Sequence, residues 1–201
     1  MATTISGTSG VTFPAGGVGN PAGAVVGTTD TQTLTNKTIQ GGAITSGTAV
    51  ASTSGTSIDF TSIPSWVKRI TVMFQGVSTN GTAPLQIQVG SGSYSISGYL
   101  GSGSNVGNAG TPAVSLFTTG FGLMSASAAT SVYHGTIWLS NLSGNNWVES
   151  AMLGRSDGAA MLWSGGSIAL GGVLDRVRII GSATGSPSDT FDAGSINILY
   201  E

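Results

Sequence analysis

The chain has 201 residues and a formal net charge of −2; 7% of its residues are charged, 33 are glycine and none is cysteine. Ordinary globular proteins have roughly 25% charged residues, so this surface must consist of hydroxyls and amides. The six scattered basic residues argue against a nucleic-acid partner, and the absence of cysteine excludes disulfides and thiolate metal sites. No segment approaches the roughly 20 continuous apolar residues that span a bilayer, and the N-terminus does not resemble a signal peptide.

Residues 1–54 are rich in Gly and Thr, and their only aromatic residue is Phe13. One copy of such a segment has too few apolar side chains to offset the entropy lost on ordering. We therefore expect either a flexible leader or an extended stalk of several intertwined copies. In a stalk, Val11, Phe13, Leu34 and Ile39 would lie at the shared axis.

Residues 55–201 show the period-two alternation of β-strands. In 67–75, for example, Ile70, Val72 and Phe74 fall on one face. Further strands are predicted at 84–89, 93–97, 114–119, 132–139, 147–153, 167–170, 175–180 and 195–200. Clusters of Gly, Asn, Ser and Pro at 78–81, 101–110, 141–146 and 181–188 predict turns. The pattern predicts an all-β fold, with an antiparallel, jelly-roll-like β-sandwich head over 55–201.

Neither catalytic residues nor a metal or cofactor site is predicted. The single His134 has no activated nucleophile or orienting carboxylate marked beside it, so a structural or interface role is favoured. A glycan hydrolase would need two facing carboxylates. The candidates are Glu149, Asp157, Asp175, Asp189 and Asp192; Asp175 is expected to form ion pairs with Arg176 and Arg178, and Asp189 and Asp192 to form turns.

The tryptophans are the best candidates for binding. Trp147 follows the amide side chains of Asn145 and Asn146, and Trp163 precedes a Ser-Gly-Gly segment. An indole beside amide side chains can bind a sugar ring. The predicted receptor-binding set is therefore Asn145, Asn146, Trp147 and Trp163. The alternative is that each Trp packs inside the head or between subunits; Trp66 is expected in the core, and Trp138 in the core or against a neighbour.

Residues 26–39 (VGTTDTQTLTNKTI) resemble a segment that recurs in fibre proteins of tailed bacteriophages. Residues 5–14 (ISGTSGVTFP) are similar to short-fibre N-termini. Residues 60–72 (FTSIPSWVKRITV) and 191–198 (FDAGSINI) resemble the first and last strands of a phage-fibre β-domain.

The resemblance implies a homotrimer assembled in the bacterial host cytoplasm and located in the virion. Residues 1–54 would join other virion proteins in the tail, baseplate or capsid. The expected function is that of a non-enzymatic short tail fibre whose head binds the host cell surface, with a bacterial surface glycan as the expected ligand. The alternative is a capsid decoration or head fibre protein without a primary receptor role.

Overall fold

The computed structural model describes residues 44–107, 110, 112–124 and 127–201. The predicted stalk residues Val11, Phe13, Leu34 and Ile39 lie outside this part of the chain. The described residues form an all-β fold without a helix. The strands are β1 (Thr45–Ser46), β2 (Val50–Ala51), β3 (Ser57–Thr61), β4 (Arg69–Thr79), β5 (Leu85–Ser91), β6 (Ser93–Tyr94), β7 (Leu100–Gly107), β8 (Pro112–Phe117), β9 (Phe121–Gly122), β10 (Tyr133–Ser143), β11 (Asn146–Arg155), β12 (Ala160–Ala169), β13 (Arg176–Gly181) and β14 (Phe191–Tyr200).

Two antiparallel sheets form the predicted β-sandwich, which is thereby confirmed. The large sheet has the order β1-β14-β4-β10-β11-β12-β7-β8, with β2 also paired to β14. The small sheet has the order β3-β13-β5-β6, with β9 also paired to β5. Because β1 and β2 pair with β14, residues 45–51 belong to the large sheet, although the sequence analysis placed them in the segment 1–54.

The core lies between the two sheets and follows the predicted alternation. Ile70 and Val72 of β4 are fully buried, and so are Val177 and Ile179 of β13 in the opposite sheet. These residues belong to one continuous apolar cluster. Alternate burial of β-branched side chains therefore fixes which face of each strand points inward.

Strand β7 lies where the sequence predicted a turn cluster, so that prediction is wrong. Its glycines serve close packing: a Cβ added at Gly103 would lie 2.3 Å from the carbonyl oxygen of Gly122. The same composition that favours turns also allows a strand to approach a neighbouring backbone closely.

The predicted burial of Trp66 is also wrong, since 54% of this side chain is exposed. The N–H of Val67 donates to the carbonyl of Pro64 at 3.1 Å and closes a turn before β4. Val67 then takes the buried position, and Trp66 points outward.

Candidate binding groove

The outer face of the large sheet is apolar and uncharged over its last three strands. Strands β12, β7 and β8 contain no charged residue. On β12, Leu162 is buried while Met161 and Trp163 are exposed, which identifies the outward positions. The strand register places six exposed large apolar residues on this face: Leu100, Val114, Leu116, Met152, Met161 and Trp163.

A shallow groove of about 220 Å³ lies over β7 on this face. Its lining residues are Ser102, Gly103, Ser104, Trp163, Ser164 and Gly165. Trp163 is the partner of Ser104 on β7, and Ser104 is in turn the partner of Val114 on β8. Because neighbouring strands lie about 4.8 Å apart, the backbones at Trp163 and Val114 are about 10 Å apart, with only serine and glycine between them.

The groove combines an aromatic surface with hydroxyl groups. Trp163 is 43% exposed, so its indole can meet a ligand, while Ser102 and Ser104 lie on the floor. A serine hydroxyl both donates and accepts hydrogen bonds, and an indole offers a flat apolar face. This combination fits a neutral polyhydroxylated molecule whose ring has one apolar face.

Glu149 lies behind the groove, on the inward face of β11. Its side chain is 5% exposed, and Oε1 accepts a hydrogen bond from Ser164 Oγ at 2.7 Å. The other carboxyl oxygen, Oε2, is buried and has no hydrogen-bond partner among the residues that the structure describes. Burial raises the pKa of Glu149 from 4.5 to about 7, and the Ser164 hydrogen bond acts in the opposite direction.

The structure does not bring the four predicted receptor-binding residues together. Trp147 is 3% exposed and packs in the core, which removes it from the set of possible ligand contacts. Asn146 pairs with Ala169, six residues along β12 from Trp163, so the two sites are about 20 Å apart at 3.3 Å per residue.

The predicted amides lie in the β10–β11 hairpin. Asn146 donates its side-chain amide to the carbonyl of Ser143 at 3.1 Å, a bond within the turn. Asn145 is half-buried there. Trp163 is therefore the predicted residue that lies in a groove, whereas Asn146 stabilises a hairpin.

His134 has structural partners on both ring nitrogens. The N–H of Gly76 donates to Nδ1 at 3.2 Å, and Nε2 lies 3.0 Å from Ser156 Oγ. Since Nδ1 accepts, a neutral ring has its proton on Nε2 and donates it to Ser156. These bonds connect β10 to Gly76, which lies within β4 at a positive φ of 66°, and to the β11–β12 turn.

Three of the candidate carboxylates, those of Asp157, Asp175 and Asp189, are held by arginines or by backbone groups. Asp175 forms an ion pair with Arg176 at 2.7 Å, while Arg178 pairs at 2.7 Å with Asp59 rather than with Asp175. Asp157 pairs with Arg155 through a contact that lowers the pKa of Asp157. Asp189 accepts a hydrogen bond from the N–H of Ala83 at 2.8 Å, as suits a turn.

Among the described residues there is neither a cluster of metal-ligating side chains nor a long apolar helix. No group of three or more His, Cys, Asp or Glu side chains in this part of the chain is arranged to hold a metal ion. Nor does the described part include a helix long and apolar enough to cross a membrane.

Comparison of the chain with protein families, with curated proteins and with solved structures gives no match.

Sequence reasoning missed the groove floor and Glu149 as a buried acid. Ser102 and Ser104 were part of a predicted turn cluster. The useful signal was the alternation of Gly and Ser in 101–104, which leaves one face of a strand without large side chains. Glu149 lies at a spacing of two from Trp147 and Ala151, on the same face of β11, so its inward position could be derived from the strand period.

Proposed function

We propose that this chain is a non-enzymatic structural protein of a tailed-phage particle, a short tail fibre whose head binds the host cell surface. Residues 1–54 join the other virion proteins, and the protein assembles as a homotrimer. The resemblance of residues 26–39 to phage-fibre segments supports the phage assignment. The β-sandwich that follows in the chain is an architecture suited to displaying a binding surface.

The groove at Trp163 supports surface recognition more than any other observation. An exposed indole on three uncharged strands favours a neutral saccharide of the bacterial surface over a charged ligand. The sugar ring stacks on the indole, and its hydroxyls bond to Ser102 and Ser104. Such contacts respond weakly to salt because little charge is present to be screened.

The test begins with an array of bacterial surface saccharides and continues with titration of the best single-site ligand. We expect Trp163→Ala to weaken binding about tenfold or more, equivalent to about 1.4 kcal/mol, because the stacking surface is lost. Leu142→Ala is the matched control, since Leu142 is exposed at the β10–β11 hairpin, away from the groove. Equal affinities of the Trp163→Ala variant and the unaltered protein would refute the groove as the receptor site.

A second candidate function, a capsid decoration or head fibre protein, is favoured by the apolar edge of the same sheet. Leu116 on the edge strand β8 is 85% exposed, and Val114 beside it is also exposed. An exposed apolar edge strand is suited to seating on another protein. Under this alternative Leu116→Arg prevents incorporation into particles while Trp163→Ala does not, and the copy number per particle exceeds that of tail fibres.

A further inference from the structure

A second apolar patch lies at the other side of the large sheet, where the described chain begins. We call it the root patch and define it by Ile44, Trp66, Leu199 and Tyr200. Trp66 and Tyr200 are in contact, with their ring centroids 5.8 Å apart and their planes tilted by 51°. Ile44 and Tyr200 line a small cavity of about 70 Å³ together with Leu199.

The two outer members of this patch are strongly exposed. Trp66 is 54% exposed and Ile44 is 61% exposed, although both border the half-buried Tyr200. Tryptophan and tyrosine are among the residue types that most often dominate the free energy of a protein–protein contact. In a single copy of the head, the side chains of Trp66 and Ile44 therefore remain exposed to water.

Charges of both signs border the root patch. Arg69 and Glu201 form an ion pair and line the same cavity as Ile44. A patch with one cation and one carboxylate at its rim can face a rotated copy of itself without like-charge contacts. A strongly charged partner would match this rim less well.

The position of the patch in the chain identifies the partner. Residues 1–43 precede Ile44, so every copy of that segment ends at a root patch. Their composition lacks the apolar residues that would order one copy alone. Association of copies through this segment would raise the local concentration of their root patches, because the segment is joined to Ile44 in every copy.

We propose that the root patch is the surface through which the heads of neighbouring copies of this chain pack, with Trp66 at its centre. This inference rests on the proposed assembly of several copies. Packing transfers Trp66 and Ile44 from water to a shared interface and extends the contact between copies from the N-terminal segment into the β-sandwich.

The absence of cysteine allows a direct test on the full chain. Ser65→Cys places a single thiol at an exposed position beside Trp66, and Leu142→Cys is the control at the β10–β11 hairpin. With a short bis-maleimide we expect Ser65→Cys to give a crosslinked product of two chains and Leu142→Cys to give none. Adding Trp66→Asp to Ser65→Cys should abolish the product.

Two results would overturn the proposal: no crosslinking at Ser65→Cys, or equal crosslinking at both positions. A product that persists unchanged with Trp66→Asp would also overturn the role given to Trp66. Circular dichroism melting of each variant separates loss of contact from loss of folding. Saccharide binding at Trp163 is measured independently, so a failed crosslink with intact binding refutes the interface and leaves the proposed receptor role standing.

Discussion

Replacing Glu149 with Gln should make the free energy of unfolding less dependent on pH. The carboxyl has an ordinary pKa of 4.5 and a pKa of about 7 in the folded protein. The folded state therefore keeps a proton that the unfolded state releases, so the stability contributed by this group is fully present below pH 4.5. It is lost as the pH rises towards 7 and does not change further above it.

The difference between a pKa of about 7 and one of 4.5 corresponds to about 3–4 kcal/mol, at about 1.4 kcal/mol per pKa unit. Glu149→Gln is neutral at every pH, so we expect it to match the unaltered protein near pH 4.5 and to exceed its stability by up to about 3–4 kcal/mol at pH 8.

The assay is urea unfolding at fixed protein concentration between pH 4.5 and pH 8.5. This range avoids the acid region in which Asp157 and Asp175, whose pKa values are lowered by arginine partners, lose their stabilising charge. The exposed Asp192 provides the control Asp192→Asn. Parallel pH dependences of the Glu149→Gln variant and the unaltered protein would refute the assignment of a buried, protonated carboxyl.

Two further predictions concern packing and buried amides. Gly103→Ala should destabilise the fold by about 1–3 kcal/mol, because its Cβ would collide with the Gly122 carbonyl. Gly158→Ala is the control, since a Cβ added there meets no described atom within 4 Å. Equal melting temperatures of these two variants would contradict the close packing of β7. Gln88→Leu should cost about 1–3 kcal/mol in urea unfolding, because the buried Gln88 amide donates to the carbonyls of Thr119 and Gly185, which would lose their partner. An unchanged unfolding midpoint for Gln88→Leu would contradict this role.

The sequence was sufficient for the sandwich because its strands alternate apolar and small polar residues. Ile70, Val72 and Phe74 lie inward as their spacing predicted. Strand β5 shows where the pattern fails: Gln86 and Gln88 face away from the core and are nevertheless buried. Their amides bond to the carbonyls of Ser182 and Gly185, so a distant loop covers them, and strand periodicity contains no information about that loop.

The groove was predictable only in part, for a related reason. Trp163 could be proposed from its chemistry, but Trp147 has the same chemistry and lies in the core. The difference depends on which face of its strand each tryptophan occupies. The floor of the groove is formed by β7, whose Gly and Ser residues are typical of turns. Only the register with β12 shows that they form a strand beside Trp163.

The positions of the groove and the root patch make their two proposed roles compatible. Trp163 is on β12, whereas Tyr200 is on β14, four strands away in the large sheet and about 19 Å distant at 4.8 Å per strand. Copies that pack through the root patch therefore leave their grooves open. If the proposed assembly presents several grooves, they would bind a repetitive saccharide surface together, and the combined affinity could exceed that of one groove by about 10²–10⁴-fold without any new contact. Under the proposed assembly a modest affinity of a single groove is sufficient, and Trp66→Asp should reduce binding to whole cells far more than binding of one saccharide.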